Sequence, residues 1–128
     1  MRISEQLYLY ALISYPRTSS QKLSPSIDYN KILNGLKLNK LYRQNASEIL
    51  MGKMIPNEGS MEDSAHPAIF PTGNIPKRKL SYIEFQLYDL IVHRFFAVFG
   101  EDAHKKSVTV TVDIAGHLFN ICGKQTLK

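Results

Sequence analysis

Apolar residues at Ile3, Leu7, Tyr10 and Ala11 fall at helical spacing and predict a first helix over Met1–Leu12. Pro16 pushes Tyr15 out of the helical region, so this helix stops near Ser14–Tyr15. Ser24 followed by Pro25 reads as the start of a second helix, with Tyr29, Ile32, Leu33 and Leu36 as its apolar stripe. Gly35 and Asn39 then mark a short turn, and Leu41, Tyr42, Ile49 and Leu50 predict a third helix over Lys40–Met51. From Gly52 to Lys79 the chain is broken by Pro56, Gly59, Pro67, Pro71, Gly73 and Pro76, and reads as an irregular loop. Ala65, Ala68, Ile69 and Phe70 argue that this loop is docked on the rest of the chain.

The strongest helical signal runs from Ser81 to about Phe99. Ser81 and Glu84 form a capping box, Leu80 and Phe85 stand at hydrophobic-staple spacing, and Gly100 suits the C-terminal cap. Leu87, Ile91, Phe95 and Val98 supply the expected buried face. Val108, Val110, Val112 and Ile114 alternate with Thr109, Thr111 and Asp113, the pattern of a half-buried strand. Ala115-Gly116-His117 turns into a second strand over Leu118–Cys122. Two helices joined by a short turn, followed by a hairpin, give the expected fold class: α+β, mainly helical, a winged-helix-like (helix-turn-helix) domain with a C-terminal β-hairpin. The expected division is residues 1–99 as a helical domain and 100–128 as the hairpin. No internal repeat is visible.

Length and charge narrow the picture. The chain has 128 residues, the size of one ordinary domain, and its 44% hydrophobic content excludes wholesale disorder. No apolar run approaches the ~18 residues of a membrane span, and no basic-then-apolar leader opens the chain, so no membrane partner is expected. A single cysteine, Cys122, leaves no intrachain disulfide and fits a reducing, cytoplasmic setting. The net charge is +5, and all of it lies between Arg17 and Lys53, where seven bases face two acids. Such an excess favours polyanions, nucleic acid above all, and equally describes a solvated basic face.

Candidate chemistry concentrates in Ile13-Ser14-Tyr15-Pro16-Arg17-Thr18-Ser19-Ser20. A tyrosine at the end of a helix stands in a proline-fixed turn, two residues from an arginine and beside three hydroxyls. A guanidinium offers planar paired donors to a phosphate, and hydroxyls add neutral donors. A tyrosine beside such a pocket could attack phosphorus and hold it as an ester, provided its proton, of pKa about 10, is given somewhere to go. The same residues also describe an ordinary turn around a partly buried tyrosine.

The stretch Leu7-Tyr8 through Ala11-Leu12-Ile13-Ser14-Tyr15-Pro16-Arg17-Thr18-Ser19-Ser20 resembles the active-site signature of type IA DNA topoisomerases: a helix ending in Leu-Ile-Ser/Thr-Tyr, any residue, then Arg-Thr-Asp/Ser-Ser. Ala65-His66-Pro67-Ala68-Ile69-Phe70-Pro71-Thr72 is similar to a second motif of that family in its archaeal form, and Leu87-Tyr88-Asp89-Leu90-Ile91 with Arg94-Phe95 to the helix that follows. The resemblance implies that Tyr15 is the nucleophile that links to a DNA 5′ phosphate and that Arg17 stabilises charge on the scissile phosphate. It implies DNA contacts for His66 and, more weakly, for Thr18, Ser20 and Lys22. Ser19 and Pro67 stand where bacterial members carry Asp and Glu, which leaves open whether any acid sits beside Arg17.

The implied reaction is transesterification: transient single-strand cleavage and religation that relaxes supercoils without ATP. The implied cofactor is Mg2+, held in the full-length enzyme by an acidic cluster outside this segment; no metal ligand is expected here, and no Asp-x-Asp motif occurs. The chain is accordingly expected to be the tyrosine-bearing fragment, inactive alone, with its hairpin part of the adjoining arch domain. Its expected partners are DNA, single strands preferred, and the remaining domains of the same polypeptide. The competing readings are a non-catalytic winged-helix module that binds duplex DNA through Lys31, Lys37, Lys40 and Arg43, and a structural module with no nucleic-acid role.

Overall fold

A computed structural model describes residues 2–127; Met1, where the first helix is expected to begin, and Lys128 lie outside the described residues. Helix α1 covers Ile3–Leu9 and buries Leu7. It ends three residues before the expected Leu12. Ala11 adopts a left-handed backbone, φ 55°, and turns the chain. Leu12–Ser14 then run extended and pair with the loop: Thr72 N–H donates to the Leu12 carbonyl at 3.0 Å and Ser14 N–H to the Phe70 carbonyl at 2.9 Å, around a bridge between Ile13 and Pro71. This pairing supplies hydrogen bonds that another helical turn would have made, and it leaves Leu12 and Ile13 buried.

Helix α2 covers Tyr29–Lys37 and starts later than Ser24–Pro25. Ser24 is spent on a local turn, where its Oγ accepts Ser26 N–H at 3.3 Å and its carbonyl accepts Ile27 N–H at 3.0 Å. The cap is Asp28, whose Oδ1 accepts Lys31 N–H at 3.0 Å. Gly35 lies inside α2 instead of in the turn, because the loop passes there: a Cβ at Gly35 would run into the Gly73 carbonyl. Helix α3 covers Arg43–Met51, buries Ala46 and packs on α2.

Helix α4 covers Tyr82–Ala97. Its start is the expected capping box: Ser81 N–H donates to Glu84 Oε2 at 2.8 Å and Glu84 N–H to Ser81 Oγ at 3.4 Å. Its cap at the other end is Val98. Its buried face is Tyr88, Val92, Phe95 and Phe96, with the expected Leu87, Ile91 and Val98 only partly buried. Both α1 and α3 pack on α4. The core joins Leu7, Leu12, Leu33, Tyr42 and Val92, and Tyr42 Oη donates to Asp89 Oδ1 at 3.0 Å.

Strands β1, Lys105–Ile114, and β2, His117–Thr126, form an antiparallel hairpin in which Val110 faces Ile121 and Val112 faces Phe119. Ala115 and Gly116 both have positive φ, 53° and 83°, the geometry of a two-residue hairpin turn. The expected half-burial is not found: every described position of both strands is exposed, and neither strand packs on a helix. The alternation still separates two faces. Val108, Val110, Val112, Ile114, Phe119 and Ile121 share one; Thr109, Thr111, Asn120 and Lys124 share the other.

Candidate functional site

The extended pairing that ends α1 delivers Tyr15 to the surface. Ser14 is pinned from both sides, its N–H by the Phe70 carbonyl and its Oγ by Phe70 N–H at 3.0 Å. The next residue, Tyr15, is 37% exposed. Its ring lies against His66, 4.6 Å between centroids and inclined by 45°, and meets the edge of Tyr8 at 5.5 Å. Two segments some fifty residues apart thus bring a phenol and an imidazole into tilted ring contact on one surface.

The loop holds His66 there by its backbone. Asp63 Oδ1 accepts Ala65 N–H at 2.8 Å and His66 N–H at 3.3 Å, a tight turn around the carboxylate. Those backbone donors hold the Asp63 carboxyl below its ordinary range. Thr18 Oγ1 donates to the His66 carbonyl at 3.1 Å and accepts Ser20 N–H at 3.0 Å. Farther along, Ala68 N–H donates to the Lys22 carbonyl at 2.7 Å, and Gln21 N–H to the Met61 carbonyl at 2.8 Å. The loop is docked along residues 18–23, as its apolar residues suggested.

Arg17 is exposed and lies within electrostatic reach of the Tyr15 phenol. Its Nη2 donates to Glu5 Oε1 at 2.5 Å, and this bond, before any other influence, raises the arginine and lowers the glutamate from their ordinary values. An acid therefore does sit beside Arg17, supplied from α1 and not from position 19. Sequence reasoning missed it, although Glu5 is the one acid among the first 27 residues.

The remaining sequence candidates are less available. Lys22 Nζ pairs with Glu62 Oε2 at 2.7 Å. Ser20 Oγ is engaged locally, accepting Lys22 N–H and donating to the Lys22 carbonyl. Both border a shallow cavity of about 390 Å³ whose walls also carry Glu58, Glu62, Asp63 and His66, an acidic surround that disfavours phosphate. Among the described residues no group of three His, Cys, Asp or Glu side chains converges on a point where a metal ion could be held. The described residues therefore offer no such cluster to the implied Mg2+. Also among the described residues, no helix is long and apolar enough to cross a membrane.

Fold and site together define a helical module that presents a phenol, an imidazole and a guanidinium at one surface. A family model for DNA topoisomerase matches residues 1–128. The DNA topoisomerase 1 of Methanothermobacter thermautotrophicus is 48% identical over 126 residues, covering 98% of this chain and 17% of that protein. The DNA topoisomerase 1 of Pyrococcus horikoshii is 46% identical over 129 residues, covering 98% of this chain and 19% of that protein. The DNA topoisomerase 3 of Caenorhabditis elegans is 28% identical over 123 residues. The chain belongs to the DNA topoisomerase family, in its type IA branch. It spans less than a fifth of the length of these curated relatives.

Proposed function

We propose that this chain carries the nucleophile of a type IA DNA topoisomerase, and that the full-length protein cuts and reseals one DNA strand through Tyr15. The observation that carries the reading is the exposed Tyr15 ring held against His66 with Arg17 in electrostatic reach. The Tyr15 oxygen attacks a backbone phosphorus, a bond forms between them, and the bond to the deoxyribose 3′ oxygen breaks. The phenol proton is lost and the 3′ oxygen gains one, so the exchange is balanced. Resealing is the reverse attack by the 3′ hydroxyl. One phosphoester replaces another, so relaxation needs no ATP. The protein's part is positioning and charge stabilisation: Arg17 offers its donors to the phosphate oxygens while Ser14 and Pro16 fix the phenol's approach. The acidic cluster and Mg2+ belong to the rest of the polypeptide, and the fragment alone relaxes nothing.

The test uses the full-length protein and a labelled single-stranded oligonucleotide. Wild type is expected to become covalently attached to the 5′-phosphate end of the downstream fragment, leaving a 3′ hydroxyl on the other, and Tyr15→Phe to lose that attachment while still binding. A wild-type protein that never attaches overturns the reading. Salt-sensitive duplex binding lost on neutralising Lys31, Lys37, Lys40 and Arg43, all exposed on or beside α2 and α3, would then favour the non-catalytic module.

A further inference from the structure

Arg17 can serve a phosphate only with its donors free, and in the fold as it stands one of them is taken. Glu5 reaches it from a different element, twelve residues back, through a contact of 2.5 Å. The glutamate is itself held: its Oε2 accepts Arg2 N–H at 3.4 Å, so the carboxylate faces Arg17 from a fixed helix turn. The arginine side chain is 65% exposed, against 29% for Glu5. A carboxylate and a phosphodiester present the same two-oxygen edge to a guanidinium. An exposed pair of this kind is weak enough for an incoming phosphate to compete with it.

We propose that Glu5 is a positioning residue: it takes one donor edge of the Arg17 guanidinium in competition with the DNA phosphate, and when a strand arrives it shares the guanidinium with that phosphate and steadies it through the chemical step. This inference rests on the reading of Tyr15 and Arg17 as the cleavage pair. Glu5 touches neither DNA nor the reacting atoms in this scheme; it acts through Arg17. It makes two effects run in opposite directions. Competition for the guanidinium weakens DNA binding, and pre-orientation of the guanidinium speeds the chemical step.

The experiment takes the full-length protein with Glu5→Gln, Arg17→Ala and the double variant. Glutamine still accepts the Arg2 N–H at the third helical position, so the cap survives. Affinity for a fluorescent single-stranded oligonucleotide is read by anisotropy on a Tyr15→Phe background, which needs no cleavage. Glu5→Gln is expected to tighten binding about threefold with Arg17 present and to change nothing with Arg17→Ala. With Tyr15 restored, the single-turnover rate of covalent attachment at saturating DNA is expected to fall about tenfold in Glu5→Gln. Equal tightening with and without Arg17 would show a plain loss of negative charge and overturn the proposal. So would unchanged binding, or an unchanged rate of attachment. Failure of wild type to attach overturns the cleavage reading instead, and leaves the two binding arms to report on the Glu5–Arg17 exchange.

Discussion

Glu84 is the residue on which the entry of α4 depends. It is buried, yet it closes the capping box and takes the Arg78 guanidinium on both oxygens, at 2.7 and 3.2 Å. Arg78 first, and Ser81 second, pull its carboxyl from the ordinary 4.5 down to about 2. A carboxyl depressed in the folded state contributes stability that is complete above the unfolded value and is lost as pH falls through the folded one. The contribution is therefore expected to be full above pH 4.5 and to fade toward pH 2. Glu84→Gln keeps an acceptor for the cap and removes the charge. Urea unfolding followed across that pH range should show a lower stability for the variant at neutral pH and a flatter decline in acid. Ala11, by contrast, is a residue whose conformation nothing in its side chain announces. Its left-handed backbone is imposed by the extended pairing that follows it.

At the scale of elements, what could be read from the sequence depended on whether a local signal competed with a distant partner. The start of α4 was legible because Ser81 and Glu84 settle it between themselves. Its buried face was not. Leu87, Tyr88, Leu90, Ile91, Val92, Phe95 and Phe96 are apolar nearly all round the helix, so periodicity could not choose among stripes, and packing chose Tyr88, Val92 and Phe96 beside Phe95. The ends of α1 and α2 were misplaced because hydrogen bonds to residues 70–72, and a local serine turn, replaced helical ones. Gly35 looked like a turn residue and proved to be a contact. The same close approach runs both ways: Gly73 has φ 82°, and a Cβ there would meet the Ile32 carbonyl oxygen at 2.7 Å. Gly35→Ala is therefore expected to destabilise the chain by about 1–3 kcal/mol in denaturant unfolding, although alanine is the better helix former. The proposed site was legible where it is written in one short stretch, at Tyr15 and Arg17. The fold adds what spacing could not give, the Tyr15–His66 ring contact and the reach of Glu5.

Across the whole molecule, the helices and the docked loop share one core while the hairpin stands apart from it. Leu33 is fully buried; Val112 is 46% exposed on a strand that meets no helix. Leu33→Ala is expected to lower the stability of the helical part by about 2–5 kcal/mol, and Val112→Thr to change it by under about 0.5 kcal/mol. Thermal unfolding followed by a probe in α4 measures both. The hairpin's alternating pattern does separate an apolar face from a polar one. The cover that such a pattern calls for is absent among the described residues, which is why half-burial failed as an expectation.

That uncovered ribbon has a practical consequence. Both its outer edges offer unpaired backbone groups, and one side is a run of valine, isoleucine and phenylalanine. Such a surface is a template for its own kind. Prepared by itself at high concentration, this stretch of polypeptide is expected to self-associate through the hairpin, and light scattering of the chain with and without residues 105–127 measures that.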